Sequence, residues 1–184
     1  MPDIEITENL QVNIYDEATI VPRNFKSVQG LYDSCGKYVR YSGRRLYSSD
    51  EYLYGDKLND NKIDRNDMSV YYLGDLRCHY GHFLIDEVTR LWGIWQMEDN
   101  VKIAYSLGGD PKEWMWDFLD YLGICKERLI LVDKPMCFKR VFFAVPCYIV
   151  GKRVSALWKT VFDKEVEGYF RNGGVGQVVE ASCI

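Results

Sequence analysis

The spacing of apolar and polar positions changes character near residue 70. Before that point, residues 9–22 (NLQVNIYDEATIVP) alternate loosely with Val, Ile and Tyr, which predicts one or two strands ending at Pro22. In GLYDSCGKYVRYSGRRLYSSDEYLYG the cluster Asp33-Ser34-Cys35-Gly36 separates two β-prone runs, a hairpin signal, and Ser42-Gly43 marks a second bend. Residues 1–68 therefore read as a β-rich section, a meander. From Val70 the rhythm differs. Val70–Leu73 is a short apolar run of buried-strand type, closed by Gly74, and a helical pattern starts at His82, with Leu84, Val88, Leu91 and Trp95 on one face.

Alternation continues beyond. Val101–Leu107 is a strand stopped by Gly108-Gly109, and Asp110-Pro111 opens a helix that carries Trp114, Phe118 and Leu122 on one face and ends at Gly123. Arg128–Val132 and Lys139–Ile149 are strands, the second bent or at an edge near Pro146. Ser155 caps a last helix, Ala156–Phe170, with Leu157, Val161 and Phe162 toward a core. Residues 69–170 thus read as an α/β layer of the same unit as the meander, with helices packed on a sheet. The glycine-rich 171–184 reads as the start of a linker.

Bulk properties narrow the function classes. A chain of 184 residues carries one domain with a real core. The net charge of −4 argues against a nucleic-acid binder, which needs a basic surface. Aromatic residues make up 15%, with 14 Tyr and 5 Trp, and flat rings of this kind suit both cores and sugar-binding surfaces. The acidic N-terminus has no secretory-signal pattern, and no window reaches the roughly 18 apolar residues of a membrane span. Six dispersed cysteines without a C-x-x-C motif read as reduced thiols in the cytosol rather than a zinc site. The polar stretch 56–67 lacks the glycine and terminal glutamate of a calcium loop and reads as solvated surface. No Asp-x-Asp pair offers ligands for a metal-bound nucleotide diphosphate, and Gly173-Gly174-x-Gly176 has neither the preceding strand nor the following helix of a phosphate loop.

Chemistry concentrates in Val70–Met97, which holds both histidines of the chain. His82, Asp86 and Arg90 follow at intervals of four, so they stack along one side of a helix. Two readings of His82 are open. At a helix start its ring stays neutral and, oriented by Asp86, can act as a general base; or it bonds a loop carbonyl and locks the turn. Asp86 can orient His82 or pair with Arg90. Arg77 can contact an anion or be a surface charge.

The segment Gly74-x5-Tyr80-Gly81-His82-Phe83-Leu84-Ile85-Asp86-x3-Arg90-Leu91-Trp92 is similar to the signature of the glycosyltransferase 61 family. GLYDSCGKYV resembles that family's upstream hairpin, WDFLDYLGI its helix-to-strand segment, and RVFFAVPCY its strand ending in a Val-Pro step, so four matches in order span roughly residues 29–150. The resemblance implies a Rossmann-like, three-layer α/β domain of a GT-B glycosyltransferase, here the N-terminal, acceptor-side half. The donor-side half, with its Gly-Pro-His-Gly-Ala-Gly-like loop, has no counterpart after residue 150 and would be a partner domain. It implies inverting, metal-independent transfer from a nucleotide sugar, a co-substrate rather than a cofactor, to a glycan acceptor in surface or capsular polysaccharide synthesis. The location implied is the cytoplasm, free or peripheral at the inner face of the membrane. His82 would be the base and Asp86 its orienter, with Arg77, His79, Tyr80 and Arg90 as substrate contacts. The alternative is a non-catalytic sugar-binding or regulatory module derived from such an enzyme.

Overall fold

A computed structural model describes residues 5–6, 9–23, 29–43, 58, 63–150 and 153–171. Positions 56, 57 and 59–62 of the polar stretch 56–67, the Gly173–Gly176 run and nearly all of the expected linker lie outside them. The strands are β1 (Glu5–Ile6), β2 (Val12–Val21), β3 (Gly30–Tyr32), β4 (Asp64–Leu76), β5 (Lys102–Leu107), β6 (Leu129–Leu131), β7 (Met136–Ala144), β8 (Tyr148–Ile149) and β9 (Arg153–Val154). Six of them form a mixed sheet in the order β3-β2-β7-β4-β5-β6, and β1-β9-β8 form a small second sheet. β7, β4, β5 and β6 run parallel, while β3 and β2 add antiparallel strands beyond β7. The chain is thus an α/β protein with a layout compatible with a Rossmann-like one.

Of the expected meander, the described residues show β2 antiparallel to β3 and the Asp33–Gly36 turn, where Asp33 Oδ1 accepts the N–H groups of Cys35 and Lys37 and Tyr32 bridges to Tyr38. It is built into the main sheet. β7, from the far end of the chain, inserts between β2 and β4, an order that local periodicity does not encode. The polar residues 64–67, expected in a loop, are the first four residues of β4. The backbones of Asp64–Asn66 pair with Met136–Phe138 of β7, which needs no apolar side chains.

Side chains alternate across the parallel strands. Tyr71, Leu73 and Ile103 face one buried layer, and Val70, Tyr72, Ala104, Val141 and Phe143 face the other. The first layer is covered by helices. After β4 the chain forms α1 (Tyr80–His82), a π-helical turn (Phe83–Glu87) and a 3₁₀ segment (Val88–Gln96), called here the composite helix. α2 (Glu113–Tyr121) follows β5, and α3 (Leu157–Arg171) follows the small sheet. Gly123 ends α2 at φ +77°, with Ile124 N–H on the Leu119 carbonyl, as a C′ glycine should. Ser155 Oγ accepts the Leu157 N–H and so caps α3. α3 lies so close to α2 that a Cβ on Gly168 would stand 1.5 Å from the Tyr121 carbonyl oxygen.

All these helices pack into the same layer, so the described residues form two of the three layers expected. The reason is topological. Both crossovers, β4 to β5 and β5 to β6, step in one direction, and a fixed right-handed crossover then puts both helices on one face. Among the described residues, no helix is long and apolar enough to cross a membrane.

Candidate functional site

The site forms where β4 runs out into the composite helix, at the carboxyl ends of parallel strands. Gly74 does not end β4, as its position after an apolar run suggests. The register with β5 shifts between Tyr72 and Gly74, leaving Leu73 as the extra residue of a bulge; Gly74, at φ +117°, pairs with Tyr105, and the strand continues to Leu76. The bulge delivers Asp75 and Arg77 into the interior, where they are 5% and 4% exposed. The composite helix is not the regular α-helix expected. Val88 N–H bonds the Phe83 carbonyl, a π-type step, and every residue from Val88 to Ile94 is buried. π turns recur at functional sites.

Three of the expected site residues meet here. His82 Nδ1 lies 3.0 Å from Asp86 Oδ2 and 3.0 Å from Arg77 Nη1, and Arg77 Nη1 is 3.3 Å from the same carboxylate oxygen. The His82 side chain is 16% exposed and that of Asp86 3%. One nitrogen cannot serve both neighbours at once: as N–H it donates to Asp86, as a lone pair it accepts from Arg77. If Nδ1 carries the proton, Arg77 donates to Asp86 instead, and Nε2 keeps its lone pair.

Of the other expected contacts, His79 is exposed, its ring 5.1 Å from that of His82. Tyr80 packs on α2 instead. Its ring packs edge-on against Trp114 at 5.2 Å, and Trp114 in turn against Phe83 at 5.1 Å. Arg90 is 2% exposed and serves the fold rather than a substrate. It donates to the carbonyls of Asp86 (2.7 Å), Tyr41 (2.9 Å) and Gly43 (3.4 Å), and the i,i+4 carboxylate pair read from the sequence does not form. Gly74 makes room for it, since a Cβ there would lie 2.9 Å from Arg90 Nη1.

Two acids that the sequence reading did not single out complete the cluster. Glu87 Oε1 is 3.6 Å from Arg77 Nε. Burial and then the adjacent Asp86 charge push its carboxyl well above the ordinary carboxylate range, against the pull of Arg77 and Arg90. Asp75 accepts from Ser106 Oγ (3.1 Å) and Gln29 Nε2 (3.4 Å), and burial raises it too. The only sequence signal for either is an acid embedded in an apolar run. Arg23 reaches the same neighbourhood, donating to the Gly108 carbonyl at 2.9 Å. Among the described residues, no three His, Cys, Asp or Glu side chains are grouped as a metal ion would require.

The arrangement suits proton transfer: a half-buried imidazole oriented by a carboxylate, with a guanidinium balancing that carboxylate. No protein-family model, curated protein or solved structure matches this chain.

Proposed function

We propose that this chain is the acceptor-side α/β domain of a GT-B glycosyltransferase of the family 61 type, with His82 as the base that activates the acceptor hydroxyl. The observation that carries the proposal is the 3.0 Å contact between His82 Nδ1 and Asp86 Oδ2 beside Arg77. In the tautomer with the proton on Nδ1, Nε2 takes the proton of an acceptor hydroxyl as its oxygen attacks the anomeric carbon. The nucleotide diphosphate leaves with the electrons of the broken bond, and the anomeric centre inverts. Asp86 stabilises the imidazolium that results. The donor is a nucleotide sugar bound by a donor-side domain, and the acceptor is a glycan of a surface or capsular polysaccharide. The setting is cytoplasmic, and the chemistry calls for no metal. His79, beside the His82 ring, is the second group offered to the acceptor.

The burial of the same cluster favours a second reading, a non-catalytic module in which the network only fixes the turn. Arg77, Asp86 and Glu87 are each under 5% exposed.

Two histidines make the test clean, because imidazole ¹⁵N spectra hold two sets of signals and His79→Gln assigns them. The expected result is a His82 ring in the Nδ1–H form whose Nε2 resonance moves when acceptor oligosaccharides are added. In a transfer assay with the donor-side domain present, His82→Ala lowers the rate by about 10²–10⁴-fold, with a near-native melt. Asp86→Asn has a smaller effect. An Nε2–H tautomer that ignores every glycan in a broad panel sinks the base assignment.

A further inference from the structure

We propose that this chain has a second site, for an oxyanion, in the cavity of about 220 Å³ lined by Arg23, Leu107, Gly108 and Gly109, and that it receives the phosphate or carboxylate of an acidic glycan acceptor. The carrier named here rests on the glycosyl-transfer reading; the anion site itself does not.

The first argument is place. Leu107 is the last residue of β5, and Gly108 N–H bonds the carbonyl of Leu76, the last residue of β4, at 2.8 Å. The cavity therefore opens at the carboxyl ends of two parallel strands, where α/β sheets bind their ligands.

The second is the pair of glycines, which do more than end a strand. Gly109 holds φ +149°. A Cβ on Gly108 would lie 2.9 Å from Asp75 Oδ2 and 3.2 Å from Arg23 Nη1, so a side chain there would push the Asp75 carboxylate aside and crowd the guanidinium. Two bare backbones in succession leave the floor open to close approach.

The third is Arg23. Its guanidinium has five N–H donors, and among the described residues its hydrogen bonding is the single contact from Nη1 to the Gly108 carbonyl. A planar fork with donors to spare, at the wall of a small cavity, matches a carboxylate or phosphate. The acid beside Gly108, Asp75, is engaged by Ser106 and Gln29 and flanked by both Arg23 and Arg77. The loop beyond adds one charge of each sign, Asp110 and Lys112.

Arg77 connects this cavity to the base. Its Cγ lies 3.4 Å from where a Gly108 Cβ would stand, and its Nη1 lies 3.0 Å from His82 Nδ1. The two sites are thus one arginine side chain apart. A single substrate can set its anion against Arg23 and its attacking hydroxyl at His82, which makes an acidic or phosphorylated sugar the preferred acceptor.

The test is titration of the whole chain, followed by calorimetry and backbone amide spectra, with inorganic phosphate, with glucuronate and with glucose as the neutral control. The expected result is binding of phosphate, glucuronate or both, with the Gly108 and Gly109 amides shifting and glucose silent. Whichever anion binds more tightly identifies the carrier as a phosphorylated or a carboxylated sugar. Arg23→Gln should weaken that binding about tenfold or more, and Arg23→Lys, which keeps the charge without the fork, should fall between. If Arg23→Gln does not fold, Arg23→Lys and the wild-type amide shifts still decide. Neither anion binding, equal binding by both variants, or shifts confined to other residues would overturn the site. Anion binding without any His82 response to glycans sinks the transfer reading alone. A His82 response to neutral glycans without anion binding sinks this site alone.

Discussion

At Glu87 two successive acids meet one guanidinium. Asp86 holds the closer contact with Arg77, and Glu87, fully enclosed, is pushed upward by burial and by its neighbour's charge. The folded chain therefore keeps a proton on Glu87 over a window in which the unfolded chain has lost it. That window runs from the ordinary carboxylate value of about 4.3 up to the raised one. Stability contributed by the neutral carboxyl is complete below the window and is lost as pH rises through it. Glu87→Gln keeps the neutral shape and removes the titration. The melting temperature of the variant minus that of wild type should grow as pH rises from about 4.3 through that window. A difference independent of pH would mean that Glu87 is ionised in the fold. Asp75, raised by burial as well, leaves a residual slope of the same sign in both proteins. The His82–Asp86 pair was readable because spacing by four on a helix brings side chains together. Arg90 was not, because the carbonyls it serves at Tyr41 and Gly43 lie 49 and 47 residues away.

At the scale of elements, one glycine inside β4 shapes the strand that feeds the site. Gly74 combines a left-handed φ of +117° with a Cβ position 2.9 Å from Arg90 Nη1. Gly74→Ala should therefore destabilise the chain by about 1–3 kcal/mol in denaturant unfolding. Gly81, exposed and with only ordinary contacts to His79 at 3.7 Å, is the control, and Ala there should be neutral or slightly stabilising. Equal losses at both positions would remove the special status of the bulge. Sequence pattern marks a glycine after an apolar run as a stop, and a bulge uses the same residue for a different purpose. The composite helix was legible as helical, but not in its winding. Val88–Ile94 is buried on every side, so no polar stripe records the turn-by-turn pitch.

Over the whole molecule, β4 and β7 form the centre of the sheet, and β6 and β3 its edges. Native-state hydrogen exchange should be slowest in β4 and β7 and fastest in β6 and the small sheet. Slow β6 amides would point to a further strand or partner on that edge. The alternation after Val70 was readable because each parallel strand carries its own apolar run. The position of β7 was not, because the pairing of Asp16 with Arg140 joins residues 124 apart. That pairing also has a consequence during synthesis. β2 and β4 share no backbone pairing and meet only through side chains, such as the Arg65–Glu17 ion pair; each pairs with β7, the last of the six main-sheet strands to leave the ribosome. Until residues 136–144 emerge, the nascent chain carries two half-sheets with facing unpaired edges, the state in which a growing chain is most exposed to aggregation and most in need of a chaperone.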